Sequence, residues 1–202
     1  VKLGHPEGID RDRVMLLAVK AAAPQIKHIS VDANGGWSLA DALAMADWLA
    51  EQGVTYLEQP LAKGQEGDLL ELYRQSPLPI FADESCFTSY DILPLADRVH
   101  GINIKLMKAG GLTEALRMIH TARACGLKVM FGCYSDSSLL NTALAHLSPL
   151  AHHIDLDSHL NLVDDPFLGA TLQNGRLVPG DRPGLGIMVN PARNAQPEGA
   201  SV

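Results

Sequence analysis

The sequence predicts an α/β fold, a (β/α) barrel, and three observations predict it. Seven short β-rich runs recur at a near-constant interval of about 25 residues, apolar stretches of helical spacing fill the gaps, and glycines stand where a helix must give way to the next strand. An open doubly wound sheet needs no such regularity, so a closed barrel is the better reading.

In chain order the runs are residues 1–4, 28–32, 54–58, 78–83, 101–106, 128–133 and 152–157. Between the second and third, residues 38–51 read as a helix: Ser38 can cap it, Asp41 sits at the third helical position, and Leu39, Ala42, Leu43, Ala46 and Leu49 form one apolar face. Gly53 ends it. Residues 111–124 repeat the scheme, with Thr113 as cap, Leu112, Ala115, Leu116, Ile119 and Ala122 facing inward, and Gly126 as the stop before the run 128–133.

Seven strands are one short of a full barrel, and the chain opens directly in a strand. It therefore reads as a barrel lacking its first strand and whatever comes before it. The expected organisation is a barrel domain over 1–167, a Gly- and Pro-rich segment over 168–190 that packs back on the barrel, and a disordered tail over 191–202.

Composition narrows the function classes. The formal net charge is −7 and the 16 Lys and Arg residues are scattered, so no basic face awaits nucleic acid. No apolar run approaches the roughly 20 residues that span a bilayer, and the first residues do not form an export signal. The three cysteines, Cys86, Cys125 and Cys133, have neither disulfide-framework nor zinc-ligand spacing. A soluble, cytoplasmic enzyme without nucleic-acid or membrane partners is expected.

Barrel active sites lie at the carboxyl ends of the strands, and three consecutive strands deliver an acid there. Asp32 ends Ile-Ser-Val-Asp, Glu58 ends Tyr-Leu-Glu and Asp83 ends Ile-Phe-Ala-Asp, each about 25 residues from the next. Three converging carboxylates repel one another unless a cation neutralises them, and all-oxygen ligation suits Mg²⁺. The next strand ends in Lys105, flanked by Ile104 and Leu106, which makes it a general-base candidate. Lys2 holds the matching position on the first run and faces it across the acids. With a cation stabilising the enediolate formed when an α-proton leaves a carboxylate substrate, one lysine can remove that proton and the other return it from the opposite face.

These residues resemble the enolase superfamily, and within it the muconate lactonizing enzyme subgroup. The matching motifs are Lys2-Leu3-Gly4, Asp32-Ala33-Asn34-Gly35-Gly36-Trp37, Glu58-Gln59-Pro60, Ala82-Asp83-Glu84-Ser85 and the stretch from Asn103 through Lys105 and Lys108 to Gly111. The resemblance implies a TIM-type barrel, Asp32, Glu58 and Asp83 as Mg²⁺ ligands, Lys2 and Lys105 as the acid/base pair, and a separate capping domain ahead of Val1.

The last run narrows the resemblance. Ile154-Asp155-Leu156-Asp157 looks like the paired aspartates with which dipeptide epimerases hold a substrate ammonium, and alternate residues of a strand do share a face. Where such epimerases read Gly-Cys-Met and then Glu-Ser after one residue, this chain reads Gly132-Cys133-Tyr134-Ser135-Asp136-Ser137. That places Cys133 and Asp136 among the expected substrate contacts and leaves side-chain preference open. The eight histidines offer no competing scheme.

The expected reaction is inversion of a dipeptide's α-carbon by two-lysine 1,1-proton transfer. The alternatives are another subgroup reaction, such as N-acylamino-acid racemisation, o-succinylbenzoate synthesis or muconate cycloisomerisation, and a non-catalytic fragment. The expected partner is a small-molecule substrate, a dipeptide or an N-acylamino acid, and subgroup members often form homo-oligomers.

Overall fold

The computed structural model describes residues 1–191. Its centre is a parallel six-stranded sheet in strict chain order: β1 (Ile29–Asp32), β2 (Val54–Glu58), β3 (Ile80–Ala82), β4 (Gly101–Ile104), β5 (Lys128–Phe131) and β6 (His153–Ile154). Seven helices accompany it: α1 (Ile9–Ala22), α2 (Leu39–Glu51), α3 (Leu69–Gln75), α4 (Ile92–Leu95), α5 (Leu106–Ala109), α6 (Leu112–Ala124) and α7 (Ser138–Ala145).

The sheet is strongly curled. Three strands separate β2 from β6, which in a flat sheet would put them about 19 Å apart. Yet the rings of Tyr56 and His153 stand 4.6 Å apart, with Phe81 4.8 Å from Tyr56. With Met130 these side chains fill the inside of the curl, while Val31, Leu57, Ile80, Ile102, Val129 and Phe131 belong to the larger core outside it, with Leu16, Met45 and Met118 of the helices. The result is a half-barrel with its core against the helices.

Six of the seven expected runs form strands of this sheet, in the expected order. The first does not. Lys2 makes a single parallel bridge to Asp32, supported by Leu3 N–H to the Asp32 carbonyl at 2.7 Å and Asp32 N–H to the Val1 carbonyl at 3.0 Å. Gly4 then turns the chain away at φ +79°, where a Cβ would lie 2.1 Å from the Ala33 carbonyl oxygen. Among the described residues no pairing joins the Lys2 segment to β6.

The helix 38–51 begins as expected, with Asp41 N–H donating to Ser38 Oγ at 3.2 Å. Met45 joins Ala42, Ala46 and Leu49 on its buried face, while Leu39 and Leu43 stay half-buried. The cap expected at Thr113 is wrong. Gly110 and Gly111, at φ +76° and +138°, bend the chain sharply out of α5, so α6 starts at Leu112 and Thr113 lies inside its first turn.

After α7 the chain forms two small antiparallel pairs. β7 (Phe167–Leu168) pairs with β10 (Met188–Val189), and β8 (Thr171–Gln173) with β9 (Arg176–Val178). The turn Asn174-Gly175, both at positive φ, makes the second hairpin tight. The segment is tied to α7 by Ala170 N–H to Thr142 Oγ1 at 2.7 Å and by His146 Nε2 against the Leu185 carbonyl at 3.1 Å. The tail expected at 191–202 lies, apart from Pro191, outside the described residues. Among those described, no helix is long and apolar enough to cross a membrane.

Candidate active site

Strand alternation carries a charged layer one step above the aromatic one. Two residues beyond Tyr56 stands Glu58; two beyond Phe81, Asp83; two beyond Asn103, Lys105; two and four beyond His153, Asp155 and Asp157. The β1–β2 register sets Asp32 directly beside Glu58. Oxygens of Asp32, Glu58 and Asp83 all lie within 4.8 Å of one another, and all three residues are buried.

Two cations flank this row. Lys2 Nζ donates to Asp32 Oδ2 at 2.5 Å and Lys105 Nζ to Asp83 Oδ2 at 2.5 Å. Burial pulls the Lys2 pKa down, but the hydrogen bond to Asp32 and the Asp32 and Glu58 charges together outweigh it, and the balance is up. Burial likewise lowers that of Lys105, and the Asp83 charge and hydrogen bond together with Glu58 more than restore it; its ammonium also stands 4.4 Å from the centre of the Tyr134 ring. The carboxylates thus hold both lysines in the protonated form.

Glu58 sits between those pairs and, among the described residues, has no ion pair. Burial first and the Asp32 charge second push its carboxyl up to about 8, against the pull of a 2.6 Å hydrogen bond from Asn103 Nδ2. A buried, all-carboxylate donor set with too much negative charge fits a hard divalent cation such as Mg²⁺, which would be held by Asp32, Glu58 and Asp83.

A second cluster forms at the end of β6, where ligand atoms of Cys133, Asp155 and Asp157 also lie within 4.8 Å of one another. Loss of water around its carboxylate, then the neighbouring Asp157 charge, push the Asp155 pKa up. Two like charges so placed favour a cationic group between them. A cleft of about 400 Å³ has Lys2, Asp32, Glu58, Asp155 and Asp157 on its walls. A second cavity, of about 450 Å³, also reaches Asp155 and Asp157, from the side of Leu172 and Leu177.

Asp136 stands apart from these walls. It is buried, and its carboxylate accepts the Tyr134 N–H of its own turn at 3.1 Å. The histidines near β6 are engaged elsewhere: His152 accepts the Val129 N–H at 3.0 Å, His153 stacks in the aromatic layer, and His159 meets Asn141 at 3.0 Å.

Sequence reasoning missed four residues that shape this mouth. Gln59, at φ +34°, accepts Asp83 N–H at 2.8 Å on Oε1 and donates to the Leu61 carbonyl at 2.7 Å, binding the loop after Glu58 to the one after β3. Asn34, at φ +46°, reaches Asp32 Oδ1 through its N–H at 2.8 Å and Oδ2 through its amide at 3.2 Å. Such backbone in non-glycine residues costs about 1–3 kcal/mol and persists only where its surroundings hold it. Asn103 and Lys108 are the others. The signal for both was available: Asn103 is two residues before Lys105 on the same strand face, and Lys108 is one helical turn after it.

The fold and the mouth together define a (β/α) half-barrel protein with buried carboxylates and lysines at the carboxyl ends of its strands. The chain belongs to the enolase C-terminal domain-like family, which it matches over residues 1–193. It is 51% identical over 193 residues to a hydrophobic dipeptide epimerase of Roseobacter litoralis, covering 95% of this chain and 56% of that protein. A dipeptide epimerase of Methylococcus capsulatus, solved with Mg and the dipeptide L-Arg-D-Lys, superposes with a TM-score of 0.84 at 31% identity, over 94% of this chain and 55% of that one. A muconate lactonizing enzyme superposes with a TM-score of 0.87 at 25% identity, over 96% and 56%. The chain thus spans just over half the length of each of these three.

Proposed function

We propose that this chain is the barrel part of a Mg²⁺-dependent isomerase, a dipeptide epimerase that inverts an α-carbon by 1,1-proton transfer between two lysines. The observation that carries the reading is the order of groups across the strand ends: Lys2, Asp32, Glu58, Asp83, Lys105, a carboxylate row with one lysine at each end. The activities of these relatives support the substrate class.

Bound Mg²⁺ would supply positive charge beside the substrate carboxylate and so make its α-proton removable. The chain's own residues do the rest. Asp32, Glu58 and Asp83 hold the cation. Lys2 and Lys105, standing at opposite ends of the row, exchange the α-proton with opposite faces of the carbon. Asp155 and Asp157 receive the dipeptide's ammonium group, which fixes where the α-carbon rests. Cys133 closes the same corner, and Asp136 holds the Tyr134 turn beside it.

The test is α-deuterium incorporation in D₂O, followed by mass spectrometry, with Mg²⁺ and a panel of L,L-dipeptides. Exchange that survives in Cys86→Ser and is lost when Lys2→Ala and Lys105→Ala are combined supports the reading. Exchange confined to N-acylated amino acids would move the protein to N-acylamino-acid racemisation, and silence with both panels would remove the isomerase assignment.

A further inference from the structure

Asp83 is bound by two lysines, and they are not equivalent. Lys105 Nζ has one carboxylate partner, Asp83 Oδ2, and packs against the exposed Tyr134 ring, so it retains N–H groups to offer elsewhere. Lys108, whose side chain is 1% exposed, has none left. Its ammonium donates to Asp83 Oδ1, to the Asp83 carbonyl at 2.6 Å and to the Asn103 carbonyl at 3.0 Å. An ammonium has three N–H donors and here meets three acceptors. The Phe87 ring covers it at 5.6 Å.

Resting on the reading of the triad as a metal site, we infer that Lys108 is a positioning residue. It is a fully satisfied cation that pins Oδ1 of Asp83, leaves Oδ2 to Lys105 and the triad, and offsets one of three carboxylate charges. Fully ionised, Asp32, Glu58 and Asp83 carry a charge of −3; Lys108 brings the set to −2, the match for one divalent cation. Lys2 and Lys105, paired to Asp32 and Asp83 here, leave this sum in the proposed reaction because each turns to the substrate. The same three bonds fasten the end of β3 to the end of β4, so the charge and the alignment of Asp83 come from one side chain. Buried charge of this kind is retained only where it is fully bonded, and Lys108 is.

The charge match has a consequence that a purely structural role lacks. Removing a fixed positive charge favours a trivalent ion over a divalent one, because the gain scales with the charge of the ion. The probes are Tb³⁺, read by luminescence, and Mn²⁺, read by electron paramagnetic resonance, each titrated into the wild-type protein and into Lys108→Met. The ratio of Tb³⁺ to Mn²⁺ affinity is expected to rise by about tenfold or more in Lys108→Met. General loosening of the site weakens both ions and cancels in the ratio. Lys108→Arg keeps the charge and is expected to hold the wild-type ratio even where both affinities fall. A ratio unchanged in Lys108→Met, with Mn²⁺ still bound by the wild type, overturns this inference alone; a wild type that binds neither ion overturns the metal reading with it. Where Lys108→Met does not fold, the wild type decides by ¹⁵N NMR of lysine ammonium groups. One slowly exchanging ammonium signal should keep its protection on adding Mg²⁺, and loss of that protection would show that Lys108 leaves Asp83 when the cation binds and would overturn the inference.

Discussion

Asn103 Nδ2 donates to Glu58 Oε1 across 2.6 Å, and it does so through space that Gly132, just past the neighbouring strand β5, leaves empty. A Cβ at Gly132 would lie 2.5 Å from that same amide nitrogen. Gly132→Ala must therefore displace Asn103 and strip Glu58 of its donor. The expected cost is about 1–3 kcal/mol of unfolding free energy, with weaker Mg²⁺ binding alongside. Urea unfolding and calorimetric titration check the two effects; a variant equal to wild type in both would mean the amide has another way to reach Glu58.

Asp83 and Asp32 are both buried acids, yet their loss should differ sharply. Asp83 is the counter-charge of two buried ammonium groups, so Asp83→Asn leaves both uncompensated and should cost about 3–5 kcal/mol. Lys2, the partner of Asp32, is 66% exposed at its side chain and hydrates when released, so Asp32→Asn should cost about 1 kcal/mol or less. Chemical denaturation of both variants without metal gives the comparison, and equal losses would contradict it.

The charge layer was legible in the sequence because it obeys the strand period: an acid or a lysine at each strand end needs only the βα repeat to be placed. Three-dimensional relationships were not legible in the same way. Lys108 reads as one more basic residue until the short helix α5, which contains it, brings its ammonium onto Asp83. The first run looked like a strand because Val1 to Leu3 carry the composition of one, but Gly4 stops it after a single bridge. Thr113 looked like a cap because it is a good one, and two glycines began the helix before it.

The pH dependence follows from Glu58. Its carboxyl is raised from 4.5 to about 8 in the folded chain without metal, so folding favours the protonated form. Its contribution to stability is fully present below about pH 4.5 and is lost as pH rises through about 8. In the presence of a chelator the thermal midpoint should fall between pH 5 and 8, more steeply in the wild type than in Glu58→Gln. Apparent Mg²⁺ affinity should rise over the same range, with about one proton released per cation near pH 7, measured by titration in buffers of different ionisation enthalpy. A proton count of zero would mean Glu58 is already ionised.

Lys2 and Lys105 stand at opposite ends of the carboxylate row, and that arrangement separates their losses. Inversion needs one lysine to take a proton and the other to give one, so Lys2→Ala and Lys105→Ala should each abolish epimerisation. Exchange with solvent needs only one lysine, the one facing the α-hydrogen of the isomer supplied. Each variant should therefore still wash deuterium into one epimer and not the other, with opposite preferences. Starting from pure L,L and L,D dipeptides, mass spectrometry reads the deuterium and chiral chromatography reads the inversion. If both variants lost exchange from the same epimer only, the lysines would act on one face and the two-base scheme would have to be abandoned.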